Sequence, residues 1–303
     1  MNRRKDKTAK RLFVGITAFN VLLMVVLLVV IICKLLSLRG ERGTKPEVQE
    51  SMDPHANQVR VEDYDFGELW FEKDDPAPKS TFSKEFLTME DGFYAYNDGV
   101  NEAAQGIDVS EFQGDIDWEA VANQGMDFAM IRIGRRGYET GNLVEDTAFW
   151  TNLSGAKAAG LDVGVYFYSQ AITPAEAREE AEFVLNLLDG ESLTYPVAFD
   201  WEHVKEQTSR THNIHAIDLT SCAKAFCDTI RQGGYTPMLY FYKSLAYYQY
   251  DMGELSEYDS WISYPRDTLD YYYDARMWQY SIDGGLFGID GIVDLDLCFR
   301  PYS

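Results

Sequence analysis

From Gly106 onward, nearly 200 residues alternate short apolar runs with amphipathic stretches of helical period, and this alternation constrains the fold more than any other feature of the chain. The runs are Phe128–Ile133 (FAMIRI), Val163–Tyr168 (VGVYFY), Tyr195–Phe199 (YPVAF), Met238–Tyr242 (MLYFY), Met277–Tyr280 (MWQY) and Ile292–Leu297 (IVDLDL). Short runs rich in Val, Ile, Phe and Tyr predict buried strands. Between them, Ala177, Ala181, Val184, Leu185 and Leu188 fall on one helix face. The capping-box word Thr173-Pro174-Ala175-Glu176 opens that helix and Gly190 ends it. Leu219, Cys222, Ala223, Phe226, Cys227 and Ile230 mark a second helix ended by Gly233-Gly234, and Trp118, Val121 and Ala122 a shorter one. Strands alternating with helices over this length predict an α/β fold with a mainly parallel sheet, open or closed into a barrel.

In such folds the C-terminal ends of the strands form the site, and carboxylates gather there. YPVAF runs directly into Asp200-Trp201-Glu202. Residues two apart on an extended chain face the same side, about 6.6 Å apart along the strand, so Asp200 and Glu202 share one space. Two carboxylates held close repel, which raises one pKa and keeps that group protonated. Asp108 closes the word Gly106-Ile107-Asp108, and Asp294 and Asp296 share one face of the last apolar run. In a closed barrel these acids meet across the mouth. One carboxylic acid and one carboxylate are the equipment of glycoside hydrolysis. Aromatic residues stand nearby: Tyr166 and Tyr168 share a strand face, as do Tyr240 and Tyr242, and Trp201, Trp261 and Trp278 lie at or near strand runs. Flat rings with a polar handle suit the apolar face of a sugar.

The words GIDVSEFQGDIDW (Gly106–Trp118), VGVYFYS (Val163–Ser169), FDWE (Phe199–Glu202) and WQYS followed by GIDGIVDLDL (within Trp278–Leu297) occur in one order. Together they resemble glycoside hydrolase family 25, the muramidase-type lysozymes. The resemblance implies a modified (β/α) TIM-like barrel with fewer helices. It implies cleavage of the β-1,4 bond between N-acetylmuramic acid and N-acetylglucosamine in peptidoglycan glycan strands, with no cofactor and no metal. It makes Glu202 the general acid and Asp200 the nucleophile or electrostatic stabiliser, with Asp108 and Asp294 orienting substrate or tuning the pair. Tyr166, Tyr168, Tyr240, Trp261 and Gln279 become the expected substrate contacts. Two departures stand out: the closing word usually reads V-D-L-N, and Asp296 replaces the Asn; a W-I-A-x-Y type word is loosened to Trp261-Ile262-Ser263-Tyr264-Pro265. A covalent intermediate, attack by the substrate's own acetamido group, and inversion by water all fit the same two carboxyls. A barrel that binds wall glycan or acts as a scaffold without turnover is the alternative of another class, and a related polymer such as chitin is a further substrate.

The first 45 residues set the expected compartment. Leu12–Cys33 is 22 residues without a charge, about 33 Å as a helix, which matches a bilayer core of about 30 Å. Arg3, Arg4, Lys5, Lys7, Lys10 and Arg11 precede it; Lys34, Arg39, Arg42 and Lys45 follow. The positive-inside rule places residues 1–11 in the cytoplasm, residues 12–33 across the membrane as a single uncleaved span, and the rest outside the cell. No small-residue cleavage site follows Cys33. Residues 34–105 read as an extracellular linker, polar and acidic, without an apolar period through Gly40–Lys79, although FYAY (Phe93–Tyr96) has the look of a short strand. Residues 106–303 are the barrel domain. Beyond residue 45 the chain carries 17 Lys/Arg against 47 Asp/Glu, which excludes a nucleic-acid partner. Four cysteines exclude a disulfide-built scaffold. Cys222 and Cys227 read as buried thiols on one helix face, and the spacing leaves open whether Cys298 pairs with either. His55, His203, His212 and His215 lack metal-site spacing and read as surface residues.

Overall fold

The computed structural model describes residues 28, 29, 34, 53–63, 67–73, 76–212 and 218–302. The chain divides into two units, Met1–Ala56 and Asn57–Ser303. In the first, Leu28, Val29 and Lys34 are helical and exposed. The remainder of the expected membrane span lies outside the described residues. No helix among the described residues is long and apolar enough to cross a membrane.

The second unit begins with two antiparallel strand pairs, β1 (Gln58–Asp63) with β2 (Gly67–Glu72), and β3 (Leu87–Glu90) with β4 (Phe93–Tyr96). The linker expectation is therefore corrected over these residues. Val59 and Val61 alternate along β1 and pair with Phe71 and Leu69 of β2. That is a strand period of two, masked in the sequence by the acidic residues around it. FYAY is a strand, as expected.

Eight strands then close a barrel: β5 (Ala104–Val109), β6 (Phe128–Arg136), with the short β7 (Leu143–Glu145) on its outer edge, β8 (Asp162–Ser169), β9 (Val197–Trp201), β10 (Pro237–Tyr242), β11 (Asp259–Ser263), β12 (Met277–Gly284) and β13 (Val293–Cys298). Around the barrel the pairings from β5 through β12 are parallel, with the outer β7 antiparallel to β6; β13 is antiparallel to both of its neighbours, β12 and β5, and completes the circle. Antiparallel strands need no crossover helix, which is one reason the barrel carries fewer helices than strands. The helices of this unit are α1 (Trp118–Ala122), α2 (Phe149–Ala158), α3 (Pro174–Leu188), α4 (Leu219–Gln232) and α5 (Lys243–Tyr248). The modified TIM-like barrel expected from the sequence is the observed fold.

Strand alternation sorts side chains into two cores. Ile131, Val165, Phe199 and Phe241 point outward into one cluster with Val184 and Leu188 of α3 and Phe226 and Ile230 of α4, while Trp278, also outward, packs against Phe82, Tyr94 and Phe299. Fully burying an aliphatic or aromatic side chain contributes about 1.5–3 kcal/mol, so this shell fastens the helices to the barrel. Inward-facing Phe128, Met130, Ala198, Met238, Trp261, Met277 and Cys298 fill the barrel. The interior needs small partners for these rings: a Cβ on Gly106 would stand 2.2 Å from the Phe128 ring, and one on Gly164 2.6 Å from Met130 Sδ. Helix α3 starts as its sequence predicts. Thr173 Oγ1 accepts from the Glu176 amide at 3.2 Å, while the Glu176 carboxylate accepts from Ile172 N at 2.9 Å, one residue before the usual capping-box donor. Cys298 lies inside the barrel, whereas Cys222 and Cys227 lie on α4 in the outer shell, and all three are free thiols.

Candidate active site

The parallel strands end at one mouth, and the antiparallel β13 begins there. Asp294, near the start of β13, therefore sits directly beside Asp108, near the end of β5. Asp200 is flanked in register by Tyr168 on β8 and Tyr240 on β10. Glu202 follows it by two residues and faces the same side. Asp108, Asp200, Glu202 and Asp294 are thus brought together, and Asp296 joins them one layer deeper, opposite Gly106 and Gln279.

The hydrogen bonds form a platform beneath these acids. Tyr240 donates its hydroxyl to Gln279 Oε1 at 3.0 Å, and Gln279 Nε2 donates to Asp108 Oδ2 at 2.7 Å. Trp261 Nε1 donates to Asp296 Oδ1 at 2.8 Å. Trp261 is only 1% exposed and lies edge-on to Tyr240 at 4.7 Å and to Tyr166 at 6.1 Å. Trp261 and Gln279, expected as substrate contacts, are both buried, and their polar atoms hold Asp296, Asp108 and Tyr240. Tyr166 and Tyr168 remain partly exposed in the mouth. Trp201 and Trp278 face outward, with their indole N–H groups on the Ala171 and Tyr264 carbonyls, so neither serves as a sugar platform. Each is the chain neighbour of an inward polar residue, Asp200 or Gln279, and strand parity turns it to the other face.

Electrostatics follow from this enclosure. Burial, above all, holds Asp108, Asp200 and Asp296 well above the usual carboxylate range. Like charges add to it: Asp296 and Asp294 act on Asp108, Glu202 on Asp200, and Asp294 on Asp296. Glu202 is also raised, by burial and then by Asp294. Asp294 rises to about 6 through burial, with a hydrogen bond from Asp108 opposing the shift. Asp200 Oδ1 and Asp296 Oδ2 are buried without a donor.

Two residues escaped sequence reasoning. Arg132 on β6 is buried, bonded through Nε to Asp146 at 2.7 Å and through a terminal nitrogen to Glu111 at 3.2 Å, and it pulls the Asp200 pKa downward. Its signal was a charge inside the apolar run FAMIRI. Gln170 donates to the Glu202 carbonyl at 2.6 Å and receives the Thr211 hydroxyl at 3.1 Å, fixing the backbone that carries Glu202. Among the described residues no group of His, Cys, Asp and Glu side chains is placed so that it could hold a metal ion. From Glu202 a groove of about 910 Å³ runs past Tyr242, Lys243, Ser263 and Tyr264 to Val61, Glu62 and Gly67 of the β1–β2 pair.

Residues 107–289 match the profile of Glycosyl hydrolases family 25. The chain is 29% identical over 197 residues to an autolytic lysozyme of Clostridium acetobutylicum, a match covering 63% of this chain and 55% of that protein. It therefore spans about half the length of that relative. Among solved structures, the modular autolysin LytC from Streptococcus pneumoniae aligns with a TM-score of 0.58 at 24% identity, over 70% of this chain and 51% of that one. A family 25 glycosyl hydrolase from Bacillus anthracis aligns with a TM-score of 0.52 at 20% identity, over 69% and 94%. These structural likenesses establish a shared barrel.

Proposed function

Because this chain belongs to Glycosyl hydrolases family 25, we propose that it hydrolyses peptidoglycan as an N-acetylmuramidase, cutting the β-1,4 bond between N-acetylmuramic acid and N-acetylglucosamine. The observation that carries the proposal is the pair Asp200, buried, and Glu202, half-buried beside it at the barrel mouth, with both pKa values raised and one Asp200 oxygen without a donor within the protein. Arg132 favours the ionised form of Asp200, and in this reading the transferable proton is carried by Glu202. Glu202 then protonates the glycosidic oxygen as that bond breaks, and ionised Asp200 faces the positive charge growing at the anomeric carbon. Asp108 and Asp294 hold the far side of the mouth. Tyr166, Tyr168 and Tyr240 line the approach, with Trp261 and Gln279 beneath them.

The uncharged segment at residues 12–33, with six basic residues ahead of it, supports a single membrane anchor with the barrel outside the cell. The relative named an autolytic lysozyme supports action on the cell's own wall. Anchored in this way, the enzyme trims only strands within reach of its tether.

Mass spectrometry of purified peptidoglycan digested by the full chain tests the reaction. New reducing ends on N-acetylmuramic acid are expected. Reducing ends on N-acetylglucosamine alone, release only from chitin, or no release at all would overturn it.

A further inference from the structure

The groove beside Glu202 has a wall that the family match does not include. The β1–β2 pair precedes residue 107, where the match begins, yet Val61, Glu62 and Gly67 line the groove. The pair is seated on the barrel. Phe71 packs edge-on to Tyr248 at 4.9 Å and stacks on Tyr247 at 5.7 Å, both in α5, and Val61 is buried. Lys73 Nζ stands 5.4 Å above the Tyr272 ring.

The charge of this groove runs against the rest of the protein. Its lining holds three cations, Lys205, Lys243 and Arg266, against two acids, Glu62 and Glu202, in a chain with 27 basic and 49 acidic residues. Two of the cations flank one ring. Lys243 Nζ lies 4.6 Å from the Tyr264 centroid and the Arg266 guanidinium 5.8 Å. Lys243 is held by Asp270 at 2.7 Å. Arg266 is exposed and carries no ion pair among the described residues.

We infer that this groove binds the carboxylate-bearing peptide substituent of a peptidoglycan strand, with the β1–β2 pair as its outer wall and Arg266 as its main anion contact. This rests on the reading of peptidoglycan as substrate. In a peptide-bearing strand the lactyl carboxyl of muramic acid is tied up in the amide that attaches the peptide, so the sugars themselves offer neutral hydroxyl and acetamido groups, for which a cationic lining has no special use. A peptide attached to muramic acid offers free carboxylates, which guanidinium and ammonium groups bind through charge-assisted hydrogen bonds. A strand whose scissile oxygen meets Glu202 brings its neighbouring substituents into this groove, and the wall keeps them beside Tyr264.

Co-sedimentation of the full chain with insoluble peptidoglycan tests the proposal, comparing the intact polymer with the same polymer after carbodiimide amidation of its peptide carboxylates. The expected result is binding about tenfold tighter to the intact polymer, with the difference shrinking as salt rises. Arg266→Glu removes that preference, and Phe71→Ala, checked for an unchanged circular dichroism spectrum, reduces it by unseating the wall. Equal binding of the parent protein to the two polymers overturns the proposal, as does a preference that survives Arg266→Glu. If the preference behaves as expected and no glycan bond is cut, the hydrolase reading falls while the groove assignment stands.

Discussion

Buried charge occurs on both faces of the barrel wall near β6, and the two clusters are built on opposite principles. Outside, Arg136 bonds Glu180 and Glu179 at 2.7 Å each and the Gly141 carbonyl at 2.7 Å, while Ser169 donates to Glu180 at 2.5 Å. A register shift between Arg132 and Gly134 turns the end of β6 so that Arg136 meets α3. Inside, five carboxyls gather at the mouth, and Arg132, the cation that acts on Asp200, is bonded to Asp146 and Glu111. The outer cluster satisfies its atoms and joins β6, β8 and α3. Burial raises Glu180 as well, to about 7, but Ser169 and Arg136 pull it back; in the inner cluster the acids raise one another, and two oxygens have no donor within the protein. Pairing builds architecture; withheld pairing builds reactivity.

Substitutions on either face should therefore separate activity from stability. The largest expected effect is that of Glu202→Gln, which should lower kcat on purified peptidoglycan by about 10²–10⁴-fold while the urea midpoint stays level or rises. Release of reducing sugar ends measures it, and a loss under tenfold would break the assignment of the acid. Next is Arg136→Met, which leaves Glu180 buried and unpaired and should destabilise by about 3–5 kcal/mol in urea unfolding, with turnover per folded molecule unchanged. A comparable loss of turnover would show that the two faces are not separable.

The pH response sharpens the contrast. Carboxyls raised in the folded state bind protons more tightly there than when unfolded. Their contribution to stability is present below the unfolded value of about 4 and is lost as pH rises through the folded value, which for Asp294 is about 6. Thermal melting should therefore occur at higher temperature at pH 5 than at pH 7, and turnover should fall on the alkaline side as Glu202 loses its proton. A melting temperature that drops steadily from pH 7 to pH 5 would contradict the crowding of the inner acids. The smallest expected effect is that of Asp296→Asn. An amide there can still accept from Trp261 and can donate toward Asp108, so the variant should gain about 1 kcal/mol at pH 7 and show a smaller difference in melting between the two pH values.

Much of this molecule is legible in the chain, for identifiable reasons. Strands β6, β8, β9, β10, β12 and β13 announce themselves because they are buried on both faces and read as apolar runs. Strand β11 (DSWIS) is harder to see, since two serines and an aspartate interrupt the pattern. The β1–β2 pair is harder still, since only one of its faces is apolar. The four carboxyls were visible as polar residues at strand ends. The direction of β13 was not, because an inward-facing period of two reads the same either way along a chain. Strand parity alone turns Trp201 and Trp278 away from the mouth. The burial of Trp261 could not be read this way, since it shares the inner face and only its depth distinguishes support from contact.

The reversed last strand also decides where the barrel can be held. Ala104 and Cys298 are paired neighbours at the end of the barrel away from the acids, so the polypeptide enters and leaves the cylinder at its closed base. Cargo fused behind residue 303 would hang below that base, clear of incoming polymer. A short peptide joining the two strand ends would yield a circular permutant whose new termini could be opened in a helix connection on the outer shell, without disturbing a single group at the rim.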